Sequence, residues 1–204
     1  FKGMTEYFTF IKNSYPHLKD INNRLVPFVL AHEARCGKKI GMVGLNSAWM
    51  CRKSPDEREI ALGEYQVKTA MESLWQKGDM DLILNCFHHP LEWLWPEDRH
   101  RSRAYLPQRS ISLCGHLHSA AGGLFQDLDG QYMQFQAGAA YIGSDSEWPA
   151  RFQYISFDWD KDSIRLDFRK FVKERRIWSI DGETGEDGTK KFQNTGILSK
   201  ITAI

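Results

Sequence analysis

Short apolar runs separated by polar segments make up the middle of the chain, and their spacing predicts alternating strands and helices. The runs at 39–45, 82–87 and 110–114 are largely apolar, and each is followed by a polar, Gly- or Pro-containing segment. Runs of this length are typical of strands buried on both faces, as in a parallel sheet. Residues 63–77 carry an apolar stripe at helical spacing and are followed by Gly78, which favours a helix with a glycine stop. The pattern predicts an α/β layer.

The segment before this layer is less regular. Apolar positions in residues 1–15 recur at near-helical spacing, which predicts a short amphipathic helix that ends before Pro16. A possible strand follows at 25–30. Pro27 would confine that strand to the edge of a sheet, because proline cannot donate to a central ladder.

After residue 118 the pattern changes to alternating residues and turn signals. Asp129-Gly130 lies between two alternating runs and predicts a hairpin, and the runs at 152–157 and 164–168 predict another pair. We therefore expect a second sheet, with strands at about 120–172, packed on the first. Residues 179–195 are rich in Gly and charge and predict a mobile loop. Without repeats or linkers, the pattern favours one domain over 1–204.

Four histidines directly follow two of the predicted strands. Phe87-His88-His89-Pro90 closes one run, and Gly115-His116-Leu117-His118 closes the next. The carboxyl ends of parallel strands meet at one edge of an α/β sheet, where ligands bind. His116 and His118 would face the same way on an extended backbone, and Gly115 would allow a tight turn near an ion. A lone histidine is usually structural, but this combination favours a metal centre.

Composition adds few constraints. The 204 residues include 27 basic and 26 acidic side chains, for a net charge of +1, so no global field favours nucleic acid or an anionic membrane. No apolar run is long enough to span a bilayer. The four cysteines show no Cys-x-x-Cys spacing, which favours reduced structural thiols in a cytoplasmic protein without a membrane partner.

The two histidine motifs resemble the C-terminal half of the calcineurin-like metallophosphoesterases, of the bacterial type. The resemblance rests on the order of strand, His88-His89-Pro90, long loop, strand and Gly115-His116-Leu117-His118. It extends to Gly44-Leu45-Asn46-Ser47-Ala48-Trp49 and Gly63-Glu64-Tyr65-Gln66. It covers residues 40–145 well and the flanks loosely.

The motifs that open this family's domain are missing. Gly-Asp-x-x-Asp and Gly-Asn-His do not occur in the chain, and no Asp-x-His precedes His88. In the family these motifs supply about half of the metal ligands. Because the chain also starts at Phe1 rather than Met, we expect the N-terminal half of the same polypeptide to be missing, and no catalytic residue is identified.

The resemblance implies a two-sheet α/β sandwich flanked by helices and the hydrolysis of a phosphate mono- or diester by a metal-activated water at a dinuclear site. His88 and His116 would bind one divalent ion and His118 the other. The histidines do not select among Mn, Fe, Zn, Co and Ni. Side chains alternate along a strand, so we expect His89 to lie outside the ligand set and to hold the loop in place.

Two other functions remain open from the sequence. The chain could be a non-catalytic regulatory or scaffold module that keeps the fold and some ligands. A structural zinc site would need a fourth ligand, which Cys86 or Cys114 could supply. Asn46 could support the site from outside the metal ligands, or it could simply start a turn.

The segment between the histidine motifs carries Arg99, Arg101 and Arg103. Arginine suits a phosphate-ester substrate because its planar fork donates two hydrogen bonds at once. Trp93 and Trp95 could stack on a base or a sugar, so nucleic acid is possible as a substrate only. The alternative is a solvated helix start with two packed tryptophans.

Overall fold

The protein forms an α/β structure with two sheets and few helices. A computed structural model describes residues 5–14, 27–51, 57–107, 109–118, 120–127, 130–140 and 149–198. The helices are α1 (Thr5–Ser14), α2 (Glu64–Trp75) and α3 (Pro96–Arg103), with a 3-10 turn at Leu91–Trp93. The strands are β1 (Phe28–Glu33), β2 (Lys39–Gly44), β3 (Leu82–Cys86), β4 (Ser110–Cys114), β5 (Ala121–Asp127), β6 (Gly130–Gln136), β7 (Arg151–Asp158), β8 (Ser163–Val172), β9 (Ile177–Ile180) and β10 (Thr189–Gln193).

The first sheet has six strands in the order β1-β2-β3-β4-β6-β5. Strands β2, β3 and β4 are parallel, as the apolar runs predict. Strand β6 is parallel to β4, and β1 and β5 pair antiparallel at the two edges. The edge position of β1 confirms the reading of Pro27, although the strand begins at Phe28 and part of the predicted segment lies outside the described residues. The helix predicted in residues 1–15 is confirmed at Thr5–Ser14, and the rest of that segment lies outside the described residues.

The second sheet differs from the prediction in its membership. It contains β7, β8, β9 and β10, all antiparallel, whereas β5 and β6 belong to the first sheet. The hairpin signal correctly predicts that β5 pairs with β6, but a turn does not specify which sheet the pair joins. The predicted loop at 179–195 is also wrong, because β10 and the end of β9 lie within it. The single domain stays a prediction.

Two apolar layers hold these elements together. The first lies between α2 and the first sheet and contains the predicted helix stripe of Val67, Met71 and Leu74. The second lies between the two sheets, where Met133 and Phe135 of β6 belong to the same cluster as the inward residues of β8. No helix in the described part contacts the second sheet; α2 packs on β1 and β2 of the first sheet, and α3 packs against α2. None of these helices is long and apolar enough to cross a membrane.

A buried ion pair joins the start of β7 to the chain after β9. Arg151 Nε donates to Asp181 Oδ2 at 2.7 Å, and Thr184 Oγ1 donates to the same carboxylate at 2.9 Å. Asp181 is fully buried. Burial alone would raise the pKa of Asp181, but the bonds from Arg151 and Thr184 and the arginine charge lower it below its ordinary value.

We expect Asp181→Ala to lower the free energy of unfolding by about 3–5 kcal/mol, because it leaves the Arg151 guanidinium buried without its carboxylate. Since the folded-state pKa of Asp181 is depressed, its contribution is present above about pH 4 and is lost as the pH falls through the folded value. Urea unfolding at pH 7 and at acidic pH measures both effects. Glu183→Gln is the control, since its exposed carboxylate also bonds Arg151. Equal losses in the two variants would contradict this account.

Candidate metal centre

The site is built where two parallel strands end at the same edge of the first sheet. Strand β3 ends at Cys86 and β4 at Cys114. Beyond these ends the two loops stay joined, because Phe87 N–H donates to Leu113 O at 3.0 Å and Gly115 N–H donates to His88 O at 2.9 Å. The register of two buried strands therefore brings the two histidine motifs together.

His88 and His116 face each other across these loops. His116 Nδ1 lies 3.2 Å from His88 Nε2. Two nitrogen ligands at 2.0–2.1 Å from a tetrahedral ion are about 3.3 Å apart, so this spacing suits one ion held by both rings. One ring nitrogen of His89 completes a group in which all three donor atoms lie within 4.8 Å of one another. The donor set fits a divalent metal of the kind that imidazole binds.

His89 lies in the same cluster as His88, contrary to the alternation expected for a strand. The two rings are 4.7 Å apart between centroids, and His89 is 4.5 Å from His116. Alternation does not apply because the strand has already ended at Cys86. His89 is only 4% exposed. Its Nδ1 contacts Ser47 Oγ at 3.0 Å and its Nε2 contacts Cys51 Sγ at 3.8 Å, so both ring nitrogens have protein partners.

Ser47 organises the first histidine loop, and the sequence reasoning missed it. Its buried hydroxyl accepts hydrogen bonds from the backbone N–H groups of His88, at 3.2 Å, and His89, at 3.0 Å, in addition to its contact with the His89 ring. Asn46 Oδ1 accepts from Ala48 N–H at 2.9 Å, so this side chain starts a turn that places Ser47. The only sequence signal for this role was the position of Ser47, directly after Asn46 and close to the end of β2.

The backbone of the second histidine loop is left-handed at two histidines. The φ angles are +73° at His116 and +56° at His118, while Gly115 is not among the described residues with positive φ. The loop is therefore not extended, so the alternation argument for His116 and His118 does not apply to it. His118 is exposed and lies outside the three-histidine group. Its role as a ligand stays a prediction.

The electrostatics of the cluster favour neutral imidazole at His88. Partial burial of the ring lowers the pKa of His88 below its ordinary value, and the nearby His118 lowers it further. A neutral ring has a lone pair available for a metal ion. Trp93 covers one side of the cluster, with its ring 4.3 Å from that of His116.

The arginines of the intervening segment lie on α3, and their environments differ. Arg103 is buried, with its guanidinium 4.3 Å from the centre of the Tyr132 ring. Arg101 is exposed and Arg99 is half-buried. Asp98-Arg99-His100 has the form Asp-x-His, but it follows the first histidine motif. Asp98 accepts from the N–H groups of Leu62 and Gly63 at 2.8 and 3.0 Å, so this carboxylate supports the start of α2.

The cysteines named as zinc ligands are poorly suited to that role. Burial raises the pKa of the Cys114 thiol to about 12, with the charge of Glu92 as a second cause, and burial also raises the pKa of Cys86. Cys114 Sγ donates to Phe135 O at 3.6 Å. The thiol that approaches the histidines is Cys51, beside His89.

Comparisons with known proteins add little to this description. No protein-family model matches the chain, and no curated protein matches it. Among solved structures, Vps29 from Chaetomium thermophilum is similar with a TM-score of 0.26 and 11% identity. The likeness covers 82% of this chain and 61% of the Vps29 chain, so this chain spans less than two thirds of that protein. A likeness this weak does not establish a family.

We expect Ser47→Ala to weaken metal binding by about 10–100-fold, the effect typical of groups that orient a ligand from outside. The change removes the hydroxyl that accepts hydrogen bonds from the backbone N–H groups of His88 and His89 and that contacts the His89 ring. Competition for zinc against a chromophoric chelator measures the affinity. Ser156→Ala, at an exposed position of β7, is the control. An unchanged zinc affinity in Ser47→Ala would show that the loop keeps its geometry without the hydroxyl.

Proposed function

We propose that this chain carries the histidine side of the metal centre of a phosphoesterase. The observation that supports the proposal most directly is the facing pair of His88 Nε2 and His116 Nδ1, 3.2 Å apart at the carboxyl edge of a parallel sheet. The order of the two histidine motifs also supports the proposal, because it resembles that of the calcineurin-like metallophosphoesterases. The reaction proposed is hydrolysis of a phosphate mono- or diester.

In this proposal the residues have separate roles. His88 and His116 hold one divalent ion through the facing nitrogens, and His118 contributes to a second. His89 positions the cluster, since Ser47 and Cys51 already contact its ring nitrogens. A bound divalent ion of this kind lowers the pKa of a coordinated water and neutralises charge on a phosphate ester. Trp93 shields the His116 ring from solvent on one side.

The arginines of α3 differ in their access to a substrate. Arg101 is the exposed arginine of α3 and could meet a phosphate ester, whereas Arg103 packs against Tyr132. A cytoplasmic location belongs to the same proposal. It is supported by the four cysteines, none of which forms a disulfide.

A non-catalytic regulatory module is the second candidate, and one observation favours it. The metal-capable group in the described part of the chain contains histidines alone, without a carboxylate. Two ions close together need anionic ligands to offset their charge, and family members draw these from the earlier aspartate motifs. Metal binding without hydrolysis would therefore fit this candidate.

We expect His88→Ala and His116→Ala each to abolish measurable binding of Co²⁺, because each removes one of the two facing nitrogens. The visible absorption of bound Co²⁺ reports the coordination without any assay of activity. His89→Ala should keep the ion with weaker affinity, by roughly 10–100-fold. His100→Ala, on the exposed side of α3, is the control. Loss of the ion from the His89 variant and its retention in the His88 variant would reverse the roles.

We expect the 204-residue chain alone to bind metal weakly and to hydrolyse nothing, because its facing ligands lack a carboxylate bridge. A polypeptide that carries the family's Asp-x-His and Gly-Asn-His motifs ahead of residue 1 should hydrolyse aryl phosphate mono- or diesters in the presence of Mn²⁺. Release of nitrophenol from nitrophenyl phosphate esters measures the hydrolytic activity of both polypeptides. Full activity after exhaustive chelation, or no activity with any divalent ion, would reject the proposed function.

A further inference from the structure

The outward face of the second sheet carries an exposed aromatic surface that the proposed function does not use. On β8, Ile164, Leu166 and Phe168 point into the core, so the alternate residues point outward. The strand register places outward residues of β7 and β9 beside them. The aromatic face, as we call this surface, consists of Phe152, Tyr154, Arg169, Phe171, Trp178 and Ile180.

The side chains of the aromatic face contact one another and still remain open to solvent. The Trp178 ring lies 4.6 Å from Phe152 and 5.4 Å from Phe171, and Phe152 lies 5.2 Å from Tyr154. Tyr154 is 57% exposed and Trp178 is 42% exposed. Two large rings are therefore held in place by their neighbours while part of each surface faces water.

Positive charge is concentrated around these rings. Arg169 lies 5.9 Å from the centre of the Tyr154 ring. The exposed turn at 173–176, between β8 and β9, contains three basic and one acidic side chain, whereas the whole chain has a net charge of only +1. Lys170 does not add to this surface, because it alternates away from Arg169 and pairs with Glu183. The acidic Asp167 is paired with Arg165 on the same strand. The surface therefore combines exposed rings with a local excess of cations.

We propose that the aromatic face binds single-stranded nucleic acid. Unpaired bases stack on exposed aromatic rings, and arginine and lysine side chains contact the phosphates between them. A duplex cannot offer its base faces in this way, so a single strand suits the surface better. A purely apolar protein partner would not account for the excess of cations beside the rings.

This inference goes beyond the proposed phosphoesterase site and does not depend on it. The aromatic face lies on the second sheet, and none of its residues belongs to the histidine cluster at the edge of the first sheet. Binding can therefore be measured with EDTA present, where hydrolysis is excluded. Failure of one proposal leaves the other unaffected.

The test is fluorescence anisotropy of a labelled oligothymidylate titrated with the 204-residue chain in EDTA. We expect saturable binding that weakens as salt is raised, together with quenching of tryptophan fluorescence, and weaker binding of the matching duplex. Trp178→Ala and Tyr154→Ala should each weaken binding by about tenfold, the effect of losing one stacking ring. Trp178→Phe, which keeps a ring, should retain most of the affinity.

Two control variants separate stacking from general charge and from folding. Trp75→Ala removes an exposed tryptophan at the end of α2, and Arg35→Ala removes an exposed arginine of the turn between β1 and β2. Both should bind the strand as the parent does, and circular dichroism should show all variants folded. Absence of binding at physiological salt, equal affinity for the duplex, or unchanged affinity in folded Trp178→Ala would each overturn the proposal.

Discussion

The parallel pairing of β3 with β4 is the constraint on which the rest of the site depends. The pairing sets Cys86 against Leu113, so both strands end at the same edge and their following loops meet. The bond from Gly115 N–H to His88 O continues the contact beyond the strands. A slip of the register would separate the histidine motifs, yet the apolar layers on both faces of the sheet resist such a slip. The histidine cluster thus inherits its geometry from the hydrophobic core.

Ser47 adds a second level of control at the same edge. Strand β2 pairs with β3 and ends beside it, which brings the Ser47 hydroxyl under the backbone of the first histidine loop. A single buried oxygen thereby accepts two backbone donors that would otherwise be buried without partners. The loop is held in one conformation because its backbone N–H groups need hydrogen-bond partners. That conformation in turn fixes the positions of His88 and His89.

The sequence predicted the elements of this fold better than their assembly. Apolar runs indicated β2, β3 and β4, and the stripe of Val67, Met71 and Leu74 indicated α2, because these signals are local. Whether β6 joins the first sheet depends on contacts with β4 that no turn residue encodes. In the site, the meeting of the two histidine motifs followed from the sheet-edge rule, and the pairing of His88 with His116 followed from the family resemblance. The contribution of Ser47 and the left-handed backbone at His116 depended on packing that a pattern does not reveal.

In the proposed metal centre, the left-handed histidines set backbone stability against ligand placement within one loop. A residue with a side chain at φ of +73° or +56°, as at His116 and His118, is strained by about 1–3 kcal/mol relative to a relaxed position. Glycine would relieve this strain, so selection for stability alone would favour it at both positions. A lineage that lost its need for the metal would be free to drift towards glycine there, and a lineage that kept the need would retain histidine against that drift. Histidine or glycine at these two positions in relatives of this chain would therefore indicate which requirement has been selected.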